Sequence, residues 1–179
     1  IFLDALARYR AAGDRRQAQH QGSELLSAML DFTDDPILGD VALVLLGQAY
    51  RELGMPDRMA ELYEKHIPTA KAALAAEMSY SLADYWYTCV VGKRKNAKML
   101  LAALAERDDG KWPTQARFRL AQIAVGEERP KDCLAFAGRV LDAKNFTDRS
   151  ALLKVMGQAY EQLGDFRQAA RCFAGKGPE

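Results

Sequence analysis

The groups in this chain able to bind a metal or attack a substrate are two histidines, three cysteines and a few paired acids. Their spacing argues against each use. His20 and His66 fall in separate helix-end contexts, with no cysteine or carboxylate at metal-ligand spacing. Cys89, Cys133 and Cys172 are far apart and odd in number, which is no disulfide framework. Each lies on an expected core face, where a thiol packs as a small hydrophobe. A Cys–His dyad assembled by the fold is left open by the sequence. The pairs Asp34-Asp35, Asp108-Asp109 and Glu127-Glu128 lack the alternating oxygen ligands and glycine of a calcium loop, so they read as turn and capping residues. No Gly-rich phosphate loop, nucleophile elbow or His-Glu-x-x-His helix is present. No catalysis, cofactor or metal is expected.

What remains is chemistry suited to contacting another molecule. Tyr80, Asp84 and Tyr87 are spaced four and three apart, so on a helix they share one stripe. Lys93, Arg94 and Lys95, with Lys98, form the densest basic cluster. That cluster either meets phosphate or an acidic partner, or solvates its loop and complements the carboxyl end of the helix before it.

The whole-chain balance narrows the partner. The 179 residues carry 25 Lys plus Arg against 24 Asp plus Glu, which disfavours non-specific nucleic-acid binding. With 49% apolar residues the chain can bury a core of ordinary size. No run of apolar residues is long enough to span a bilayer. Cysteine usage favours a reducing compartment and is compatible with the periplasm. The start at Ile1 suggests a trimmed chain, from which a signal or lipid anchor could have been removed.

The elements that must position these residues read as helices almost throughout. Apolar residues recur at three- and four-residue intervals, Ala and Leu abound, and alternating β-branched runs are missing. Pro56, Pro113 and Pro130 suit first helical turns, and Gly54, Gly92, Gly126 and Gly164 suit left-handed stops. Thr147 or Asp148 suits the cap of a helix starting near Arg149. The punctuation predicts five antiparallel hairpins in one domain spanning 1–179. Their helices are 1–12 and 14–31, 37–53 and 56–67, 70–91 and 93–107, 113–125 and 129–143, and 149–163 and 165–174.

The hairpins repeat. Gly47-Gln48-Ala49-Tyr50-Arg51-Glu52-Leu53-Gly54 returns as Gly157-Gln158-Ala159-Tyr160-Glu161-Gln162-Leu163-Gly164, with six of eight residues identical. Ala60 and Tyr63 after the first copy answer to Ala170 and Phe173 after the second. A Phe-Thr-Asp string precedes both, at 32–34 and 146–148. Aligning the crossing positions, small at Gly47, Ala83, Ala121 and Gly157 but a poor fit at Leu6, gives steps of 41, 36, 38 and 36 residues. Such periods mark stacked-hairpin architectures. At the crossing a small residue lets two helices approach closely, so a large side chain at Gly157 should overpack it.

The pattern Leu153, Met156, Gly157, Tyr160, Gly164, Asp165, Phe166, Ala169, Phe173 resembles the tetratricopeptide repeat. The second hairpin follows it at Leu43, Leu46, Gly47, Tyr50, Gly54, Met59 and Tyr63, and the first keeps Tyr9, Gly13, Asp14 and Ala18. The resemblance implies an all-α, right-handed α-solenoid whose first helices line a concave groove. It also implies a protein-interaction module that holds a peptide or helix of a partner protein. The groove residues would be Gln48 and Arg51 on the second hairpin, and Tyr80, Asp84 and Tyr87 on the third. The fourth would add Phe118, Arg119 and Gln122, and the last Lys154 and Gln158. Trp86, Leu82 and Val90 would face inward. Lys154 and Gln158 match only part of the family's carboxylate clamp, whose Asn residues are missing, so that mode is not expected. Two rivals stand beside the groove: a self-associating segment of a longer scaffold, forming a homo-oligomer, and an RNA-binding helical repeat. The absence of a regular base-reading pair in each repeat counts against RNA.

Overall fold

In the computed structural model, small and apolar residues at helical spacing build eight α-helices among the continuously described residues. The structure describes residues 39–107 and 110–179, with residues 11, 22, 24, 26, 29, 30, 32, 33 and 35 before them. The helices are α1 (Gly39–Glu52), α2 (Pro56–His66), α3 (Ala72–Cys89), α4 (Arg94–Ala105), α5 (Lys111–Gly126), α6 (Pro130–Leu141), α7 (Arg149–Gln162) and α8 (Phe166–Phe173). A 3-10 turn, Val91–Lys93, joins α3 to α4. No strand occurs among the described residues. The helices expected from residue 37 onward are therefore present, with ends shifted by a few residues. Most of the first hairpin, including Leu6, Tyr9, Gly13, Asp14, Ala18 and His20, lies outside the described residues, as do Asp34, Asp108 and Asp109.

Packing divides the chain into two units, Ile1–Tyr85 and Trp86–Glu179, with the boundary inside α3. In the first unit α1 packs on α2, and Met29, Leu46 and Ala49 form a core flanked by Leu26, Leu45, Tyr50 and Leu62. Gly47 marks the crossing: a Cβ there would collide with the Tyr63 ring. The residue before α3 and one late in it are each tied to this hairpin. Lys71 Nζ donates to Asp40 Oδ2 at 2.6 Å, and the Tyr85 hydroxyl donates to Asp57 Oδ1.

In the second unit each helix from α4 to α8 packs on its successor, and α5 also touches α7. Contact between first helices of neighbouring hairpins, as well as within hairpins, is how stacked repeats share one continuous core. That core runs through Ala121, Ala124, Cys133, Ala137, Val140, Leu152, Met156, Ala159 and Cys172. Gly157 repeats the Gly47 arrangement, since a Cβ there would stand 2.5 Å from Phe173 Cε1. Arg117 is only 5% exposed and closes the α4 carboxyl end onto α5. Its Nε–H and Nη2–H donate to the carbonyls of Ala105 and Arg107, both at 2.9 Å. The guanidinium thus fills carbonyls that the helix itself leaves without partners.

The punctuation is only partly as expected. Pro56 and Pro130 begin their helices, while Pro113 sits two residues inside α5, still in its first turn. Gly54 and Gly164 are left-handed, at φ 72 and 76. Each donates to the carbonyl three residues back while the next residue reaches five back. That is the double-bonded helix stop favouring glycine. Gly92 and Gly126 are not left-handed. Gly92 belongs to the 3-10 turn and Gly126 ends α5 in helical geometry, two residues before Glu128 takes the stop at φ 57. Asp148 rather than Thr147 caps α7, accepting from Ala151 N–H at 3.0 Å.

Candidate functional site

The expected contact residues fall into three groups. Gln48 and Arg51 on α1 are exposed, as are Lys154 and Gln158 on α7. Tyr80, Asp84, Tyr87, Arg119 and Gln122 are half-buried. Phe118 departs from the expectation. It is 9% exposed, belongs to the core of the second unit, and rests on Phe146 with ring centroids 4.9 Å apart. Its place is set by the Phe-Thr-Asp string: Phe146 swings in under α5 while Asp148 caps α7. Phe118 is a core side chain and offers no anchor surface.

The structure brings together a subset of these residues around one ring. Tyr87 lies in the last turns of α3, with Arg94 from α4 and Arg119 from α5 each placing the guanidinium carbon 5.6 Å from its centroid. Arg119 Nη1–H also donates to Gln122 Oε1 at 3.3 Å, one turn along α5. Arg94 Nε–H donates to the Tyr87 carbonyl at 3.2 Å, so this cation does complement the carboxyl end of α3. Next to it Lys93 Nζ stands 4.5 Å over the Trp86 ring. Trp86 and Val90, expected to face inward, are half-exposed, whereas Leu82 is buried. Aromatic faces hold cations through the ring quadrupole, and Arg stacks especially well because its guanidinium is planar and weakly hydrated. Residues 86–122 therefore present a cation–aromatic cluster built from three helices and a turn.

Chemistry of the thiols points away from catalysis. Cys133 is buried, its Sγ–H facing the Val155 carbonyl at 3.8 Å, and burial pushes the thiol up to about 12. Burial also raises the buried Cys172, with Arg171 pulling it back in part. Neither holds a thiolate near neutral pH, the form a nucleophile needs. Cys89 corrects the expectation that all three thiols are core, because it is exposed at the end of α3. Among the described residues no group of His, Cys, Asp or Glu is arranged to hold a metal ion, and no helix is long and apolar enough to cross a membrane.

Residues 42–75 match the tetratricopeptide repeat model. That match starts on the Gly47 hairpin and ends at the opening of α3. Residues 42–75 carry a tetratricopeptide-like repeat. Two solved structures share the fold, both described as crystal structures of MamA. The first has a TM-score of 0.64 at 16% identity, covering 92% of this chain and 91% of that one. The second has a TM-score of 0.63 at 16% identity, covering 97% and 90%. Similarity over nearly the whole of both chains fixes an all-α solenoid of helical hairpins, while identity this low speaks to fold alone. No curated protein matches the sequence significantly. Tetratricopeptide repeats such as the one at 42–75 typically serve protein interaction.

Of the site, the Tyr87, Arg119 and Gln122 grouping follows from the α3 and α5 stripes. Arg94 and Lys93 are what the stripe argument passes over, because they sit in a turn and not on a first helix. The signal for them is the alternation of Trp86 and Tyr87 with Lys93 and Arg94, seven residues later in each case.

Proposed function

We propose that this array binds a peptide or helix of a partner protein along the faces its first helices leave outside the core. The observation that carries the reading is the cluster on Tyr87, Arg119 and Gln122. These half-exposed groups project from the same helices whose other faces are core, and they converge on one ring. Aromatic anchors rimmed by Arg and Gln suit a ligand with apolar side chains and a hydrogen-bonding backbone. Side chains already held by each other cost little further ordering when a ligand arrives. Lys154 and Gln158 on α7, and Gln48, Arg51, Tyr80 and Asp84 on α1 and α3, extend the candidate surface within their own units.

The test is selection from a random displayed peptide library on the immobilised protein. Affinities of the selected peptides are then measured on wild type and on Tyr87→Ala with Gln122→Ala. The expected outcome is micromolar binding that falls about tenfold or more in the double variant at unchanged circular dichroism. Equal affinities in a folded variant would move the site elsewhere.

A second reading, self-association or assembly within a longer scaffold, is favoured by α8. Phe166, Ala170 and Phe173 make an exposed stripe at helical spacing, with Phe166 71% exposed. Apolar stripes of that kind mark interaction faces. Mass that rises with concentration in wild type, and not in Phe166→Ser, would support it.

A further inference from the structure

We infer that the segment bound at Tyr87 is acidic, its carboxylates lying against Arg94 and Arg119 beside the turn between α3 and α4. This rests on the peptide-binding reading above and names the chemistry of the ligand.

The charge distribution leads to it. From Tyr85 to Ala105 the chain carries Lys93, Arg94, Lys95 and Lys98 and not one acidic residue. Helix α5 adds Lys111, Arg117 and Arg119, again without an acid. Two of these cations have structural employment. Lys98 is neutralised by Glu127 at 2.9 Å, and Arg117 is spent on the Ala105 and Arg107 carbonyls. At the turn, Arg94 and Lys95 are differently placed. Arg94 uses Nε on the Tyr87 carbonyl, and its side chain is exposed, as is that of Lys95.

Local structure does not call for this much positive charge. Lys93, Arg94 and Lys95 occupy the cap and first two positions of α4, whose first turn holds no acid and whose cap makes no side-chain bond. Cations at that end oppose the helix dipole, which favours acids there. One of them, Arg94, recovers something by bonding the end of α3; Lys95 does not. Arg94 and Lys95 are both exposed, so the turn carries positive charge at its surface. That turn is positive around two aromatic rings. A carboxylate-bearing peptide would meet guanidinium forks already oriented by Tyr87, with Trp86 and Tyr87 as apolar contact for its neighbouring side chains. The near-neutral whole chain favours a peptide over a nucleic-acid strand, which would need a longer basic track.

The same displayed library, selected in parallel on wild type and Arg94→Glu, tests the inference, with Lys95→Glu as a second variant at an exposed position. Wild type is expected to enrich peptides rich in Asp and Glu. Those peptides should lose about tenfold or more in affinity to Arg94→Glu and weaken with added salt. The charge-reversed protein should in turn enrich Lys and Arg. Peptides that bind wild type with no acidic bias, and bind both variants equally, would overturn the acidic ligand and leave peptide binding standing. If no peptide is selected on any of the proteins, both readings fall. Salt-sensitive retention of a single-stranded RNA probe, stronger than that of any peptide, would overturn the inference in favour of nucleic acid.

Discussion

Hairpins α1–α2 and α7–α8 begin from almost the same residues, yet their aromatic wedges end in different surroundings. In both, an aromatic from the second helix lies over a glycine of the first, Tyr63 over Gly47 and Phe173 over Gly157. Tyr63 is 1% exposed and Phe173 is 48% exposed. Behind Tyr63 the chain continues into α3, which is anchored to the hairpin by Lys71–Asp40 and Tyr85–Asp57 and brings Glu77 close enough to raise the Tyr63 phenol. After Phe173, residues 174–179 leave the ring half exposed. They fold back along another face of α8, where Arg171 holds the Gly177 carbonyl at 3.3 Å and Glu179 pairs with Arg167 and Arg171. The wedge is written into the repeat; its burial comes from whatever packs next.

The sharpest way to break this comparison is to delete both wedges. Tyr63→Ala should cost about 3–5 kcal/mol, the usual range for emptying a buried aromatic site. Phe173→Ala should cost about 1 kcal/mol or less, since half the ring is already in water. Denaturant midpoints at constant slope measure both, and equal losses would mean that neighbouring hairpins do not set the difference.

This contrast also bounds what could be read in advance. The crossing glycines, the paired aromatics, the Gly54 and Gly164 stops and the Asp148 cap are local features, and local features repeat in the sequence. Phe118 was misplaced for the opposite reason. Stripe arithmetic puts it beside Arg119 on a ligand-facing edge, but Phe146, 28 positions later, draws it into the core. Cys89 and Trp86 were misplaced because burial along α3 stops at Ala83, short of its last turns. Glu128 carries the left-handed stop because α5 keeps helical geometry through Gly126 and reverses two residues later, a matter of turn geometry that composition does not reveal.

Alkaline pH should sharpen the comparison from the side of Tyr63. Its hydroxyl is pushed from 10.0 to about 12, mainly by burial, with Arg51 lowering and Glu77 raising it. The unfolded chain loses this proton near 10.0, while the folded chain holds it until about 12. Between those values the unfolded state binds fewer protons, so stability that is complete below pH 10.0 declines as pH rises through that window. The single group is worth about 2–3 kcal/mol at full effect, to order of magnitude. Burial raises Cys133 from 9.0 to about 12, adding loss of the same sign. Tyr63→Phe should remove the tyrosine share and flatten the fall of melting temperature with pH, whereas Cys133→Ala leaves that share intact. An unchanged profile in Tyr63→Phe would show the phenol to be solvated.

Adding a methyl group at each crossing should give effects of opposite sign. Gly47→Ala drives a Cβ into a ring with nowhere to go, at a cost of about 1–3 kcal/mol. Gly157→Ala meets the same ring chemistry at Phe173, but that ring is half in solvent and can rotate aside. The gain of about 1 kcal/mol for Ala over Gly within a helix then dominates, and the variant should be neutral or slightly more stable. Thermal melts of the two variants decide it. A destabilised Gly157→Ala would mean Phe173 is held in place, which the exposed stripe of α8 does not suggest.

The smallest effect lies at the helix starts and runs the other way, because here the last hairpin is the better made of the two. Asp165 caps α8, its carboxylate accepting from Gln168 N–H at 3.1 Å. The equivalent cap of α2 is Met55, with no side-chain bond to the first turn. Backbone angles at the two caps are close, φ −113 and ψ 52 at Met55 against φ −86 and ψ 72 at Asp165. Met55→Asp can therefore reach the Arg58 N–H as Asp165 reaches that of Gln168. Met55 is already 46% exposed, so little packing is lost. The expected gain is about 0.5–1 kcal/mol, and Asp165→Ala should lose about as much. A neutral Met55→Asp alongside a destabilised Asp165→Ala would show that the start of α2 is held by Pro56 and the buried Tyr63 wedge, with the Arg58 N–H adequately served by the Met55 carbonyl at 3.1 Å.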